Sequence, residues 1–328
     1  MNPTHLVSPR RLAVLIAVSA LGYFVDVFDL LLFSVVRKQS LLGLGVPEPD
    51  TLSIGIRLLN WQMGGLLIGG FVWGIIGDKR GRLSVLFGSI GLYSVANLAN
   101  GFINAVWQYE ALRFLAGLGL AGELGAGVTL VSESMSARYR GLGTMLVACV
   151  GLAGAVVAGY VGSVYDWRTC YIIGGVMGFV LLFMRVGLYE SGLYTSLRNT
   201  TAARGSLVLL FRSPERIRRF VKCVLVGLPT YFIIGILITL TPEFGAAFGL
   251  APIPVAGRAI SICYTGLVGG NLLCSGLSQI LQSRRLAFLI FHLVGLGGSS
   301  FSSSCRRQGS RDSMSAVSCW AAAWDIGR

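Results

Sequence analysis

The stretch Gly74–Leu83, "GIIGDKRGRL", decides how the chain is read. Its core, "GDKRGR" at 77–82, puts four charges into six positions between two long apolar runs. Yet the whole chain is 54% hydrophobic and 12% charged, with a mean hydropathy of +0.72. A single soluble core cannot hide that much apolar surface, so a bilayer is the solvent for the runs. The charged stretch is then a short loop leaving the membrane. It is either a generic basic anchor or a working part of something that opens and closes.

Outward from that loop, a hydrocarbon core of about 30 Å needs about 20 apolar residues per helix. Spans therefore fall near 11–36, 58–77, 83–105, 107–132, 142–163, 169–189, 220–241 and 257–281, and a ninth apolar run starts at Leu286 and fades after Gly298. These runs are too long and continuous for the alternating pattern of a membrane barrel. The fold class expected is an all-α polytopic membrane protein. The N-terminal "SPRRLAVLIAVSALGYFVDVFDLLLFSVV" is like a secretory or twin-arginine signal at its start. Its apolar run continues well past the cleavage-like "VSA", so it reads as the first transmembrane helix.

The net charge of +13 would point to nucleic acid in a soluble protein. Here the basic residues lie between spans, at Arg10–Arg11, Lys79–Arg82, Arg138–Arg140, 198–222 and Arg284–Arg285, in the N-terminus and alternate loops. The opposite loops hold fewer: Arg37, Lys38, Arg57, Arg168 and Arg258. The positive-inside rule then explains the charge without nucleic acid and puts the N-terminus on the cytoplasmic side of the inner membrane. With only His5 and His292, a histidine-built metal site is excluded. The seven Cys form no C-x-x-C pair and read as small packing residues. No G-x-x-x-x-G-K-[ST] loop implies a nucleotide, so no cofactor is expected. A membrane hydrolase would need a nucleophile and base, and the sequence has no G-x-S-x-G, so the chain is not read as an enzyme.

Four segments follow: a six-helix transmembrane bundle at 1–190, a basic cytoplasmic linker at 191–219, a partial second bundle at 220–298, and a tail at 299–328. "GLSQILQSRR" (276–285) follows the second span after the linker, as "GIIGDKRGRL" follows the second span of the chain, a degraded hint of internal repetition.

"GIIGDKRGRL" resembles the loop between helices two and three of the major facilitator superfamily: Gly74, Asp78, Lys79, Gly81 and Arg82 fit its pattern, and Leu83 replaces the final basic residue. "RFLAGLGLAGELGAG" (113–127), "SESMSARYRG" (132–141) and "WRTCYIIGGVMGFVLLFMRVGLYESGLY" (167–194) resemble the helix-four and helix-six regions of its metabolite–proton symporter branch. The resemblance implies twelve helices in two six-helix bundles, a solute site at their interface and alternating access by rocking. It also implies a monomer. This chain offers a complete first half and part of the second. After Gly298 it turns to "SSFSSSCRRQGSRDSMSAVSCWAAAWDIGR", which reads as translation in a shifted frame, outside the family pattern and expected to be disordered.

Ionisable groups inside a span are costly and functional or paired. Asp26 and Asp29 are three apart and share a face of helix one, some seven to ten residues, roughly 10–15 Å, from its expected outer end. Arg113 of helix four lies at a comparable depth. A carboxylate there would be pulled one way by desolvation and the other by the guanidinium, so a proton could compete with Arg113 for it. The resemblance makes these acids and this Arg common coupling or substrate positions; the alternative is a static ion pair. Glu123, set among Gly119, Gly122, Gly125 and Gly127, either faces a polar cavity or bonds a neighbouring hydroxyl. The glycines of 64–77 read as one helix-packing seam. Tyr23, Asn60, Gln62, Tyr93 and Asn97 are further polar residues within spans.

At the cytoplasmic membrane ends Asp78, Arg82, Glu133 and Arg140 are spaced to form and break pairs, an inner gate latch around the tight turns at Gly74 and Gly81. "GLAGAVVAGYVG" (151–162) lacks the proline of drug–proton antiporters, which points to uptake. The expected function is movement of a small carboxylate or zwitterionic metabolite with H⁺, or alternatively Na⁺, by alternating access. A sugar–proton symporter and a transport-dead fragment are the alternatives.

Overall fold

Helix one is longer than its apolar run. In the computed structural model, which describes residues 9–80, 82–134, 140–190, 213–249 and 253–283 with single residues up to 293, α1 spans Pro9–Gly43. It carries on through "RKQS", where Arg37, Lys38 and Ser40 find partners and Gln39 is exposed. Arg37 pairs with Glu243, Lys38 bonds Glu48 at 2.7 Å, and Ser40 bonds Tyr109 at 3.1 Å. The helix stops at Gly45, whose φ of 82° favours a residue without Cβ. The Val46 amide then donates to Leu41 O and the Gly45 amide to Leu42 O, a Schellman closure. Arg37, read from sequence as a loop residue, is therefore buried inside α1.

A 3-10 turn at Glu48–Asp50 leads into α2 (Thr51–Arg80), followed by α3 (Arg82–Asn100), α4 (Val106–Ser134), α5 (Arg140–Val164) and α6 (Trp167–Glu190). Then come α7 (Pro214–Phe232), a π-helical stretch Ile233–Ile238, a short α8 (Thr241–Ala247) and α9 (Ala256–Ile280). Among the described residues every regular element is helical. The charged stretch 77–82 is hardly a loop: α2 runs to Arg80 and α3 begins at Arg82. The expected single span 220–241 is instead broken. Pro229 has no amide hydrogen to give the α-helical ladder, and the next turns widen to π before the chain bends at Leu240.

In the first bundle α1 packs on α5, α2 on α4, and α3 on both α4 and α6, with α1 also touching α4 and α6. Phe28, Leu32, Phe33, Tyr109, Trp167 and Tyr171 form its main apolar core. The second part docks mainly through α9 on α5, where Leu152 and Ala155 meet Ile260, Tyr264 and Leu267. Large apolar side chains such as Leu67, Phe183 and Leu273 stand exposed on the outside, while Asp26, Asp29, Arg113, Glu123 and Arg185 are buried inside. A water-soluble protein sorts its residues the other way round.

The glycine seam in α2 is narrower than its spacing implies. A Cβ on Gly65 would strike the Phe114 and Leu118 backbone of α4, and one on Gly117 the Gln62 backbone, so the two helices touch main chain to main chain there. Gly64, Gly70 and Gly74 have open space around them. The four-residue repeat therefore mixes packed and unpacked positions.

Candidate functional site

Two charged clusters lie inside the first bundle, one above the other. The one nearer the Gly43 end of α1 is built on Arg113 of α4, which is fully buried. Its Nη2 donates to Asn97 Oδ1 of α3 at 2.8 Å, and its guanidinium sits 4.9 Å from the Tyr171 ring centroid and 5.6 Å from that of Phe33. Its Nε and Nη1 have no partner among the described residues. Tyr171 is itself held by a 2.6 Å hydroxyl–hydroxyl bond to Tyr109, which continues to Ser40. Asp29 of α1 is the acid in Arg113's field, with Asn97 beside it, and points at Gly174 of α6, where a Cβ would come within 2.5 Å of Oδ1. The expected Asp–Arg pair is thus a near neighbourhood: the hydrogen bond goes to neutral Asn97.

The second cluster stands about 15 Å further along α4 at about 1.5 Å per residue. Among the described residues Glu123 has a guanidinium for its partner and not a hydroxyl. It receives both terminal nitrogens of Arg185 from α6, with Nη1 2.7 Å from Oε2, and both side chains are nearly sealed, at 4% and 2% exposure. Gly22 of α1 makes room for the pair, since a Cβ there would lie 2.5 Å from Glu123 Oε1. Asp26 is one turn beyond Gly22 on the same face, completely buried, and neither carboxylate oxygen has a partner among the described residues. The Tyr93 hydroxyl of α3 joins this group, buried and without a partner among the described residues.

Asp26 and Asp29 also sit deeper than expected, because α1 runs on for about 21 Å past Asp29 at roughly 1.5 Å per residue. Of the other polar residues, Gln62 is buried and Asn60 exposed. Gly119 and Gly122 pack on α3 near Ser89. Arg185 carried a signal in the sequence, an Arg within an apolar run, but its partner two helices earlier in the chain was not legible.

At the Gly43 end, Ser34 and Arg37 of α1 reach the segment after the π-helix through Thr239 (3.3 Å) and Glu243. At the opposite end, Gly74 and Lys79 are exposed. Gly81 lies outside the described residues, as do the side chains of Asp78, Arg82, Glu133 and Arg140, the remainder of the expected latch. A shallow depression of about 340 Å³ between the ends of α3 and α4, lined by Phe102, Ile103 and Trp107, touches neither charged cluster and is no candidate site.

Among the described residues five helices are long and apolar enough to cross a membrane. A helical bundle with lipid-compatible outer faces and guanidinium and carboxylate groups between its helices defines an integral membrane protein with a polar interior. The chain belongs to the Major Facilitator Superfamily, which it matches over residues 12–323, a range that reaches into the segment 299–328 set apart above. It is 27% identical to a Haemophilus influenzae protein named for metabolite transport, over 84% of this chain and 69% of that one. It is 28% identical to the 3-(3-hydroxy-phenyl)propionate transporter of Escherichia coli, over 69% of this chain and 56% of the relative. The chain thus spans little more than half the length of that relative. In fold it is similar to the proton:xylose symporter XylE, with a TM-score of 0.72 at 16% identity, covering 97% of this chain and 80% of the other.

Proposed function

We propose that this protein moves a small organic acid or zwitterionic metabolite across the cytoplasmic membrane with protons, by alternating access, and that Arg113 holds the solute's carboxylate. The observation that carries this is the state of Arg113: a fully buried guanidinium hydrogen-bonded only to a neutral amide among the described residues, between two aromatic rings. A buried charge is costly until it is paired and hydrogen-bonded. A carboxylate solute supplies that partner, and Phe33 and Tyr171 offer π-faces to a ring carried with it. A sugar would leave the guanidinium unpaired.

Asp29 is the natural competitor. When ionised it shares Arg113's field, and when protonated it leaves the guanidinium to the solute, which ties solute binding to a proton. The named relatives, one for metabolites and one for an aryl acid, support the substrate class. The basic residues of alternate loops support a cytoplasmic N-terminus. The inner latch of Asp78, Arg82, Glu133 and Arg140 is part of the same reading. The bundle works as a monomer in the bilayer, and the solute and ion gradients drive it without a cofactor.

The test is uptake into proteoliposomes carrying the full chain, with an acidic exterior. Radiolabelled 3-(3-hydroxyphenyl)propionate is expected to accumulate and to leak back when a protonophore is added, while xylose stays out. Accumulation of xylose alone, or of neither solute, refutes the reading.

A further inference from the structure

We propose that the first turns of α7, from Pro214 to Leu225, bind anionic phospholipids, whose phosphate headgroups are held by Arg216, Arg218, Arg219 and Lys222. The helix begins at Pro214, inside the stretch whose composition reads as linker. At about 3.6 residues per turn its side chains separate into two faces. The four basic residues share one face, with Glu215 among them as the single acid. Phe220, Val221, Val224, Leu225 and Leu228 share the other. All of these side chains are exposed. α7 is not among the helices apolar enough to cross a membrane. Among the described residues it packs closely only on the π-helical stretch that continues it.

A membrane surface satisfies both faces at once: the apolar side chains enter the acyl region while the cations stay at headgroup level. A nucleic acid or an acidic protein would meet the basic face alone. Position agrees with this. α6 runs from Gly174 beside Asp29 to Arg185 beside Gly22, so it ends toward the Pro9 end of α1. Thr239, just past the π stretch, meets Ser34 toward the Gly43 end. The rod made of α7 and the π stretch therefore rises from the Pro9 end, the end that the basic loops assign to the cytoplasm. Basic clusters placed there attract anionic headgroups over zwitterionic ones. Arg219 already bonds the Glu215 carboxylate at 2.6 Å, and a phosphate offers a guanidinium the same paired oxygens. Glu243, beyond the far end of the rod, pairs with Arg37, so a lipid held at the near end fixes how the rod stands against α1.

Lipid binding needs no solute, so it stands or falls apart from the transport reading. The chain's three lysines, Lys38, Lys79 and Lys222, allow a direct test. The purified full chain is placed in nanodiscs, which leave both membrane faces open, and acetylation of each lysine by an N-hydroxysuccinimide ester is followed by mass spectrometry. Discs of phosphatidylglycerol mixed with phosphatidylcholine are compared with discs of phosphatidylcholine alone. Lys222 is expected to react severalfold more slowly when phosphatidylglycerol is present, while Lys38, bonded to Glu48 near the Gly43 end, keeps its rate. Salt at about 1 M, where the Debye length is about 3 Å, is expected to remove the protection. The combined variant Arg216→Gln, Arg218→Gln and Arg219→Gln is expected to remove it too. Equal rates at Lys222 in the two lipids, or equal slowing at Lys222 and Lys38, overturns the proposal. Protection of Lys222 by inorganic phosphate in phosphatidylcholine discs marks a small-anion site and overturns it as well, as does protection by an acidic protein alone. The wild-type comparison decides the matter even where the triple variant does not fold.

Discussion

Arg185→Gln isolates what the buried ion pair contributes to the fold. The substitution removes the guanidinium that holds Glu123 by two nitrogens, in a place where the partners are 4% and 2% exposed. What remains is a sealed carboxylate beside Asp26, with no cation in its cluster. Removing one partner of such a pair costs about 3–5 kcal/mol, because the orphaned charge keeps its desolvation penalty. Replacing both partners by apolar residues of similar bulk, Arg185→Met with Glu123→Leu, removes the penalty together with the attraction and is expected to cost about 1 kcal/mol or less. The assay is the unfolding free energy of the purified full chain in mixed micelles, followed by circular dichroism, for wild type, each single variant and the double. The double variant is expected to be more stable than Arg185→Gln. A double variant as damaged as the sum of its singles would show that the pair does not act as a unit.

Gly65→Leu and Gly117→Leu are expected to abolish close α2–α4 packing and with it folded yield, whereas Gly64→Leu and Gly70→Leu change stability by no more than about 0.5 kcal/mol. Size-exclusion profiles of the four variants check this. Tyr109→Phe strips the hydroxyl that joins Ser40 to Tyr171 and leaves a buried hydroxyl unsatisfied, for a loss of about 1–3 kcal/mol in the same unfolding assay. Arg37→Gln breaks the ion pair between α1 and the segment after the π-helix. Maleimide labelling of a Ser34→Cys reporter, which replaces the partner of Thr239, is expected to speed up severalfold in that background.

How legible this was depended on the range of the interaction. The spans of α2 to α6 and α9 were visible because about 20 consecutive apolar residues are needed to cross lipid, a property of the local chain. The far end of α1 was not, because "RKQS" looks like a loop until Glu243, Glu48 and Tyr109 supply partners from elsewhere. The π-helical break after Pro229 was hidden in a run of apolar residues with no change in hydropathy. At the site, Asp26, Asp29, Arg113 and Glu123 stood out as ionisable groups in apolar runs, and the structure buries all of them. Their pairing did not stand out. Asn97 takes Arg113's hydrogen bond and Arg185 takes Glu123, and both facts depend on helices α3 and α6 turning particular faces inward. Gly22 and Gly174 were equally silent, although each leaves the space into which a charged group fits.

Arg113, and not Arg185 of the second cluster, is proposed to bind the carboxylate of the solute. Calorimetric titration of 3-(3-hydroxyphenyl)propionate into the purified full chain, compared with Arg113→Gln and Arg185→Gln, tests it most directly. A lost charge-assisted hydrogen bond of about 1.5–3 kcal/mol predicts affinity weakened roughly 10- to 100-fold in Arg113→Gln. In a folded Arg185→Gln chain the affinity is expected within about threefold of wild type. Undiminished binding by Arg113→Gln, or a loss confined to Arg185→Gln, would rule out Arg113 as the carboxylate's partner.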